Sequence, residues 1–142
     1  MAATRTPQSN IEIVFSDWLD ALRRGDIDTL AARLAPGVTH RGVRPDLYCP
    51  DRESVIESAR GRSQQLPDVE AIELVAAGDR VVLSVRAATV GLPLEEDADP
   101  DARRGLASLV FTLQDGLITA IQDYPSRADA LRAAGAAEAI WD

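Results

Sequence analysis

The sequence has little cysteine, few aromatic residues and no long apolar run. With one cysteine, Cys49, an internal disulfide is excluded. A free thiol fits a reducing compartment, so we expect a cytoplasmic protein. No histidine, cysteine or carboxylate at metal-ligand spacing surrounds Cys49, so we expect no metal and interpret the thiol as a small buried hydrophobe.

Membrane and nucleic-acid signals are missing as well. No apolar run approaches the ~20 residues that cross a bilayer, and the polar N-terminal residues lack the apolar region of a secretory signal. Lysine is absent: the 15 basic residues are all arginine, against 23 acidic residues, for a net charge of −8. This charge repels phosphate backbones, so we expect neither a nucleic acid nor a membrane as partner.

The chain is long enough for one domain with a core of its own. It has 142 residues, of which 46% are hydrophobic. We expect residues 1–9 to form a flexible N-terminal lead and residues 10–142 to form a single domain.

Apolar periodicity predicts three helices, interrupted by one short strand and followed by four strands. The helices are expected at residues 11–22, 27–34 and 51–61. The strands are expected at residues 38–41, 69–77, 80–90, 106–114 and 117–124, with tight turns at Gly78-Asp79 and Asp115-Gly116. An alanine-rich helix over residues 126–140, broken near Gly135, closes the chain.

This order predicts an α+β fold rather than a doubly wound parallel sheet. We expect a curved antiparallel sheet with the N-terminal helices packed on its concave face, which leaves a cone-shaped interior. The mouth of such a cone is a natural site for a small hydrophobic molecule. The acidic residues 93–104 interrupt the strands, either as a solvated loop or as a lid over the mouth.

Two segments resemble the nuclear transport factor 2-like, SnoaL-like superfamily, whose fold is also called cystatin-like. Residues 15–38 contain the pattern ALxxGDxDxL after an amphipathic helix, and residues 110–131 contain DGxIxxxxDY. The resemblance implies a cone-shaped α+β fold that is often a homodimer through the outer sheet face. It covers ketosteroid isomerases, limonene-epoxide hydrolases, polyketide cyclases, dehydratases and non-catalytic binding modules, so fold alone does not choose a function.

The ketosteroid isomerase pattern is incomplete in this chain. By resemblance, its tyrosine donor falls on Trp18 and its base carboxylate falls on Gly42, which has no side chain. His40, two residues earlier on the same strand face, is a substitute because its unperturbed pKa lies near neutrality.

The epoxide hydrolase pattern is also incomplete. That pattern is an Asp–Arg–Asp arrangement. By resemblance, this chain has its arginine at Arg86 and its second aspartate at Asp123, whereas the first aspartate is replaced by Ala88. One-step epoxide hydrolysis is therefore disfavoured. Arg86 lies in an otherwise apolar strand, where an arginine is costly unless it is paired, and Asp123 is the expected partner.

We interpret the remaining polar residues as one cluster. His40 and Asp123 are the candidate catalytic acid and base, and Arg86 is expected to orient Asp123 or to hold an oxyanion. The candidate ligand-binding residues are Trp18 as a wall, Tyr48 at the mouth and Ser84 on a strand.

Three functions stay open from the sequence. The first is a cofactor-independent enzyme of the isomerase, cyclase or dehydratase type that acts on an apolar oxygenated substrate. The second is a non-catalytic module that binds a small hydrophobic ligand. The third is a structural dimer whose pocket is filled by its own side chains.

Overall fold

The structure, a computed structural model, describes residues 7–43, 46–63, 69–87 and 106–136. Its helical elements are α1 (Pro7–Glu12), a π-helix (Ile13–Asp20), α2 (Ala21–Arg24), α3 (Ile27–Ala32), α4 (Arg52–Ser63) and α5 (Arg127–Ala134). Its strands are β1 (Leu34–Arg41), β2 (Tyr48–Cys49), β3 (Val69–Ala77), β4 (Arg80–Ala87), β5 (Leu106–Gln114) and β6 (Leu117–Tyr124). The acidic segment 93–104, Ala88 and the end of the predicted C-terminal helix lie outside the described residues.

The first predicted helix is present, but its middle is wound more widely than an α-helix. The N–H of Ala21 reaches back five residues to the carbonyl of Ser16, as in a π-helix. Val14 and Trp18 are buried on this helix, whereas Phe15 is 42% exposed. α-Helical spacing predicts Phe15 on the same buried stripe as Val14 and Trp18, and this is wrong because the wider winding turns its side chain outward.

The second predicted helix ends earlier than expected. Asp26 caps α3 by accepting a hydrogen bond from the backbone N–H of Thr29 at 3.2 Å. The helix ends at Ala32, and β1 begins at Leu34 rather than at residue 38. The register of β1 against β6 shifts between Leu34 and Thr39, and Pro36 lies in this irregular stretch, where a missing N–H is tolerated.

The six strands form one curved sheet in the order β2-β1-β6-β5-β4-β3. The predicted antiparallel run from β3 to β6 is confirmed, with the turns at Gly78 and at Asp115-Gly116. Asp115 and Gly116 both adopt positive φ, of 53° and 81°, as a two-residue hairpin turn requires. One pairing departs from the antiparallel prediction, since β1 runs parallel to β6.

Both faces of the sheet are covered. The inner face packs on the N-terminal helices through a core that includes Trp18, Leu83 and Phe111. The outer face carries a smaller cluster in which α5 places Ala130 and Leu131 against the strands. The N-terminal helices cover the concave face as predicted, but α5 lies on the opposite face.

Helix α5 is fastened to the sheet near both of its ends. At the start, Arg127 forms a two-bond ion pair with Glu73 of β3, at 2.7 and 3.1 Å. At the end, Arg80 donates to the carbonyl of Ala133 at 2.8 Å, and Gly135 ends the helix with a left-handed φ of 74°. These contacts fix α5 on the outer face, against β4 and β5. Within the described residues, no helix has the length and hydropathy needed to cross a membrane.

Helix α4 begins at a hydrogen-bonded cap. Asp51 Oδ1 accepts from the backbone N–H of Ser54 at 2.9 Å, and the Ser54 hydroxyl donates back to the Asp51 carbonyl at 2.9 Å. The backbone and then the hydroxyl of Ser54 hold the pKa of Asp51 below its ordinary value of 3.8.

We predict that Asp51→Ala lowers stability in a pH-dependent way. Because the folded pKa of Asp51 is depressed, its contribution is fully present above pH 3.8 and is lost as the pH falls through the folded pKa. The gap in urea midpoint between wild type and Asp51→Ala should therefore narrow on acidification. Asp51→Asn keeps an acceptor without a titrating group, so the difference in urea midpoint between Asp51→Asn and Asp51→Ala should not change with pH. A wild-type gap that does not change with pH would contradict the assignment.

Candidate functional site

The centre of the candidate site is a contact between His40 and Asp123. Nε2 of His40 lies 2.8 Å from Oδ1 of Asp123. His40 is 5% exposed, whereas Asp123 is 26% exposed. The imidazole is thus enclosed by protein, and the carboxylate is the member of the pair that solvent or a ligand can reach.

The parallel pairing of β1 and β6 creates this contact. His40 lies opposite Ile121, and Asp123 is two residues further along β6. Side chains two apart on a strand share a face, so Asp123 points to the same inner face as Ile121 and His40. The sequence hypothesis needed both side chains on one side of the sheet, and the structure brings them together there.

The pair lines a cleft of about 280 Å³, which we call the inner cleft. Its walls come from β1 and β2, from α4, from β6 and from the segment that follows β1. The lining residues are His40, Gly42, Asp46, Leu47, Tyr48, Cys49, Ser58, Arg62 and Asp123. Most of these residues are polar, so the inner cleft is suited to a hydrogen-bonding group.

A second cleft of about 290 Å³, the adjoining cleft, lies next to the first. It shares Arg62 and Asp123 with the inner cleft. The rest of its wall is mainly apolar, formed by Val43, Leu106, Ala107, Ser108, Leu109, Tyr124 and Pro125. Asp123 and Arg62 therefore lie between a cleft with many polar lining residues and one with few.

Cys49, Ser58 and Arg62 are among the residues of the inner cleft that were not identified from the sequence as site residues. Cys49 lies directly opposite His40 in the β1–β2 pair and is only partly buried, which corrects its interpretation as a buried hydrophobe. Ser58 and Arg62 lie one turn apart on α4, next to the buried stripe of Val55 and Ala59. That spacing was visible in the sequence and was the signal that could have identified both.

The predicted ion pair between Arg86 and Asp123 is wrong. In β4 the inner face takes Val81, Leu83 and Val85, so Arg86 belongs to the outer face. It is exposed there and lies opposite Leu106 of β5, while Asp123 points inward. Arg86 therefore neither orients Asp123 nor reaches the inner cleft.

Ser84 shares the outer face with Arg86. Its hydroxyl contacts that of Ser108 at 2.9 Å, and both side chains are 3% exposed. Ser84 and Arg86 line a separate outer groove of about 410 Å³ together with Glu73 and Arg127. The expectation that Ser84 shares a binding site with His40 is therefore wrong.

Trp18 belongs to the packed interior. It is 3% exposed and meets Phe111 edge to face, with ring centres 5.4 Å apart. Neither cleft includes Trp18 in its wall. Its predicted place as a pocket wall is corrected to a place in the core between the helices and the sheet.

Tyr48 lies at the rim of the inner cleft, where it was expected. It is 41% exposed, and the guanidinium of Arg41 stacks over its ring at 4.5 Å. This stack fixes the orientation of the ring at the entrance to the cleft.

The position of Gly42 leaves no room for a side chain. A Cβ at Gly42 would collide with the Cβ of Leu47 and with its carbonyl oxygen, to which the N–H of Gly42 donates. A carboxylate at this position would therefore displace the segment that follows β1. The isomerase base that the resemblance places here is excluded by this backbone as well as by the sequence.

Solved structures share the fold. An epoxide hydrolase of the LEH-like type from M. tuberculosis is 22% identical, with a TM-score of 0.59 and 82% of each chain covered. A candidate polyketide cyclase from Xanthomonas campestris is 20% identical, with a TM-score of 0.58, covering 84% of this chain and 92% of that one. A SnoaL-like protein of unknown function from Burkholderia thailandensis is 21% identical, with a TM-score of 0.60, covering 82% and 94%.

These likenesses define an NTF2-like α+β protein. The sequence pattern of the SnoaL-like domain matches residues 15–121, which is most of the chain. The chain therefore belongs to the SnoaL-like domain family, as its sequence motifs predicted. No curated protein matches it significantly in sequence.

We predict that Ser84 and Ser108 are coupled through their hydroxyl groups. Either Ser84→Ala or Ser108→Ala leaves a buried hydroxyl without this partner. Each single change should lower the free energy of unfolding by about 1–3 kcal/mol. The double variant removes both hydroxyls and should cost clearly less than the sum of the single changes. Urea unfolding of all four proteins measures this, and additive losses would show that the pair is not coupled.

We predict that His40 carries a proton on Nε2 and donates it to Asp123. Since His40 is the only histidine, imidazole ¹⁵N spectra need no assignment. They should show a protonated Nε2 with a slowly exchanging proton, and Asp123→Ala should make that proton exchange rapidly. Glu57→Ala, on the exposed side of α4, is the control and should change nothing. A proton confined to Nδ1 in the wild type would contradict the arrangement.

Proposed function

We propose that this protein is a cofactor-independent enzyme that moves a proton within a small apolar oxygenated substrate, as an isomerase, cyclase or dehydratase does. The observation that carries the proposal is the contact of a half-buried carboxylate with a buried imidazole at the inner cleft. A carboxylate in reach of substrate and backed by a second titrating group is the arrangement that general acid–base catalysis needs.

In the proposed reaction Asp123 is the base. It removes a proton from the carbon next to a substrate carbonyl, and the electron pair of that C–H bond forms an enolate. His40 holds the carboxylate by donating from Nε2, and Asp123 keeps the abstracted proton until it is passed on. Return of the proton to another carbon completes an isomerisation, and its delivery to a leaving hydroxyl completes a dehydration. Attack of the enolate carbon on a second carbonyl, with the proton going to the new alkoxide, completes a cyclisation.

The enolate oxygen needs a hydrogen-bond donor. Arg86 was expected to supply it, and the isomerase resemblance places a donor at Trp18, but neither residue lines the clefts. The Ser58 hydroxyl lines the inner cleft together with Asp123 and takes this role in the proposal. At about 280 Å³ the inner cleft lies at the lower end of the usual range for ligand sites, which favours a small substrate.

Family membership supports an enzyme without choosing its reaction. The M. tuberculosis relative is an epoxide hydrolase, and Asp123 is the position at which this chain retains an aspartate of the epoxide hydrolase pattern. The other aspartate of that pattern is replaced by Ala88, which argues against the same hydrolysis here. Proton transfer needs only the carboxylate that is retained.

A non-catalytic binding module is the second candidate function. It is favoured by the backbone at Gly42, which excludes the isomerase base, and by the absence of a carboxylate at Ala88. In this case His40 and Asp123 would serve only as hydrogen-bonding groups for a small ligand.

A homodimer through the outer sheet face is part of the same proposal. Helix α5 covers the outer side of β4 and contacts β5 and β6. A second copy would therefore pack beside α5 rather than on the bare sheet.

We predict that the protein catalyses exchange of carbon-bound protons. Small linear and cyclic ketones in D₂O should lose their α-proton NMR signals faster with the enzyme than without it. Asp123→Asn should slow this exchange by about 100-fold or more, because the base is lost. His40→Ala should slow it less, because the carboxylate stays in place.

The matched control is Glu57→Gln, which changes a carboxylate to an amide on the exposed side of α4. It should leave the exchange rate unchanged. Ketones that bind, as seen by chemical-shift changes, but do not exchange in any variant would sink the enzyme proposal and favour the binding module.

A further inference from the structure

Arg62 occupies a distinctive place among the arginines of this chain. It lies in the last turn of α4, and it is shared by the walls of the inner and adjoining clefts. Asp123 is the other residue that both clefts share. Any molecule that extends from one cleft into the other passes both side chains.

The guanidinium of Arg62 has no protein partner among the residues that the structure describes. Other arginines do have one: Arg33 pairs with Asp17 at 2.7 Å, and Arg127 pairs with Glu73. In a chain with 23 acidic and 15 basic residues, carboxylates for such pairs are plentiful. A cation that borders two clefts without an ion pair is available to an anion from outside.

The two clefts differ in the chemistry of their walls. More of the side chains that line the inner cleft are polar or charged, whereas those of the adjoining cleft are mostly apolar. Each has room for nine or ten water-sized groups, at about 30 Å³ per water. An occupant of both is therefore a short molecule with one apolar end and one oxygenated end.

The charged side chains around the clefts determine whether they prefer a neutral or an anionic molecule. Asp123 lines the inner cleft and repels an anion, so Arg62 is the residue that can reverse this preference. A planar guanidinium binds a carboxylate through two parallel hydrogen bonds, which a neutral amide cannot match.

We propose that Arg62 anchors a substrate carboxylate and that the two clefts together bind a short monocarboxylic acid with an apolar chain and a carbonyl group. The carboxylate pairs with Arg62, the carbonyl lies toward Asp123, and the hydrocarbon fills the adjoining cleft. The reaction of this acid rests on the proposed function. The preference of the clefts for a carboxylate does not depend on that reaction.

A straight-chain γ-oxo acid of about eight carbons, compared with its primary amide, tests the inference. Binding is followed by backbone NMR shifts and by protection of Cys49, in the wall of the inner cleft, from a thiol reagent. Wild type should bind the acid about 10- to 100-fold more tightly than the amide, as expected for hydrogen bonds between charged groups. Arg62→Gln should bind the amide at least as well as the acid.

Arg60→Gln is the matched control. It makes the same substitution on the same helix two residues earlier, at an arginine that is exposed like Arg62 but lines neither cleft. This variant should keep the preference for the acid. Arg62→Lys keeps the charge without the two-bond geometry and should keep part of the preference for the acid over the amide.

The outcomes separate the two proposals. Equal binding of acid and amide by wild type, or a preference that survives in Arg62→Gln, overturns the carboxylate anchor. Proton exchange on neutral ketones that Arg62→Gln leaves unchanged would then still support the enzyme. An acid preference lost in Arg62→Gln, with no proton exchange in any variant, supports the anchor and overturns the enzyme.

Discussion

The parallel pairing of the first long strand with the last one is the constraint on which the site depends. β1 and β6 are more than seventy residues apart in sequence, and their register places His40 beside Asp123 at 2.8 Å. A shift of one residue in either strand would send one of the two side chains to the opposite face. The site is therefore a consequence of sheet register rather than of local sequence.

The surrounding structure holds that register. The inner face is packed by the N-terminal helices and the outer face by α5, so β4 and β5 are buried on both sides. Helix α4 begins at the cap of Asp51 and presents Ser58 and Arg62 to the clefts from its opposite end. The candidate site thus lies on regular elements, which position side chains more narrowly than loops do.

The comparison of the two strongest site hypotheses shows where sequence reasoning succeeds. His40 and Asp123 were expected together, and they are in contact: the epoxide hydrolase pattern marked Asp123, and His40 lies on the same face of β1 as the position of the isomerase base. Arg86 was expected with them and lies on the other face. Its strand reads Val81, Val82, Leu83 and then Val85, with no polar alternation to mark a face. A strand covered on both sides loses that signal.

A similar argument explains the residues that were missed. Cys49 and Arg62 reach the inner cleft from elements that are not neighbours of β6 in the sequence. Nothing local marks Cys49, and the spacing of Ser58 and Arg62 shows only that they share a face of α4, not that this face meets the site. Only the packing of α4 and β2 against the end of β1 brings them to the same space.

By itself the sequence determined the family, the α+β class, the antiparallel run of four strands and the two hairpin turns. These follow from local periodicity, from turn residues and from motifs, all of which are written within short stretches of chain. The tertiary structure alone decided the face of Arg86, the placement of Trp18 in the core, the position of α5 and the presence of Arg62 and Asp123 in the walls of the same clefts. Each of these depends on which distant surfaces pack together, and packing free energy is shared by residues that are far apart in the sequence.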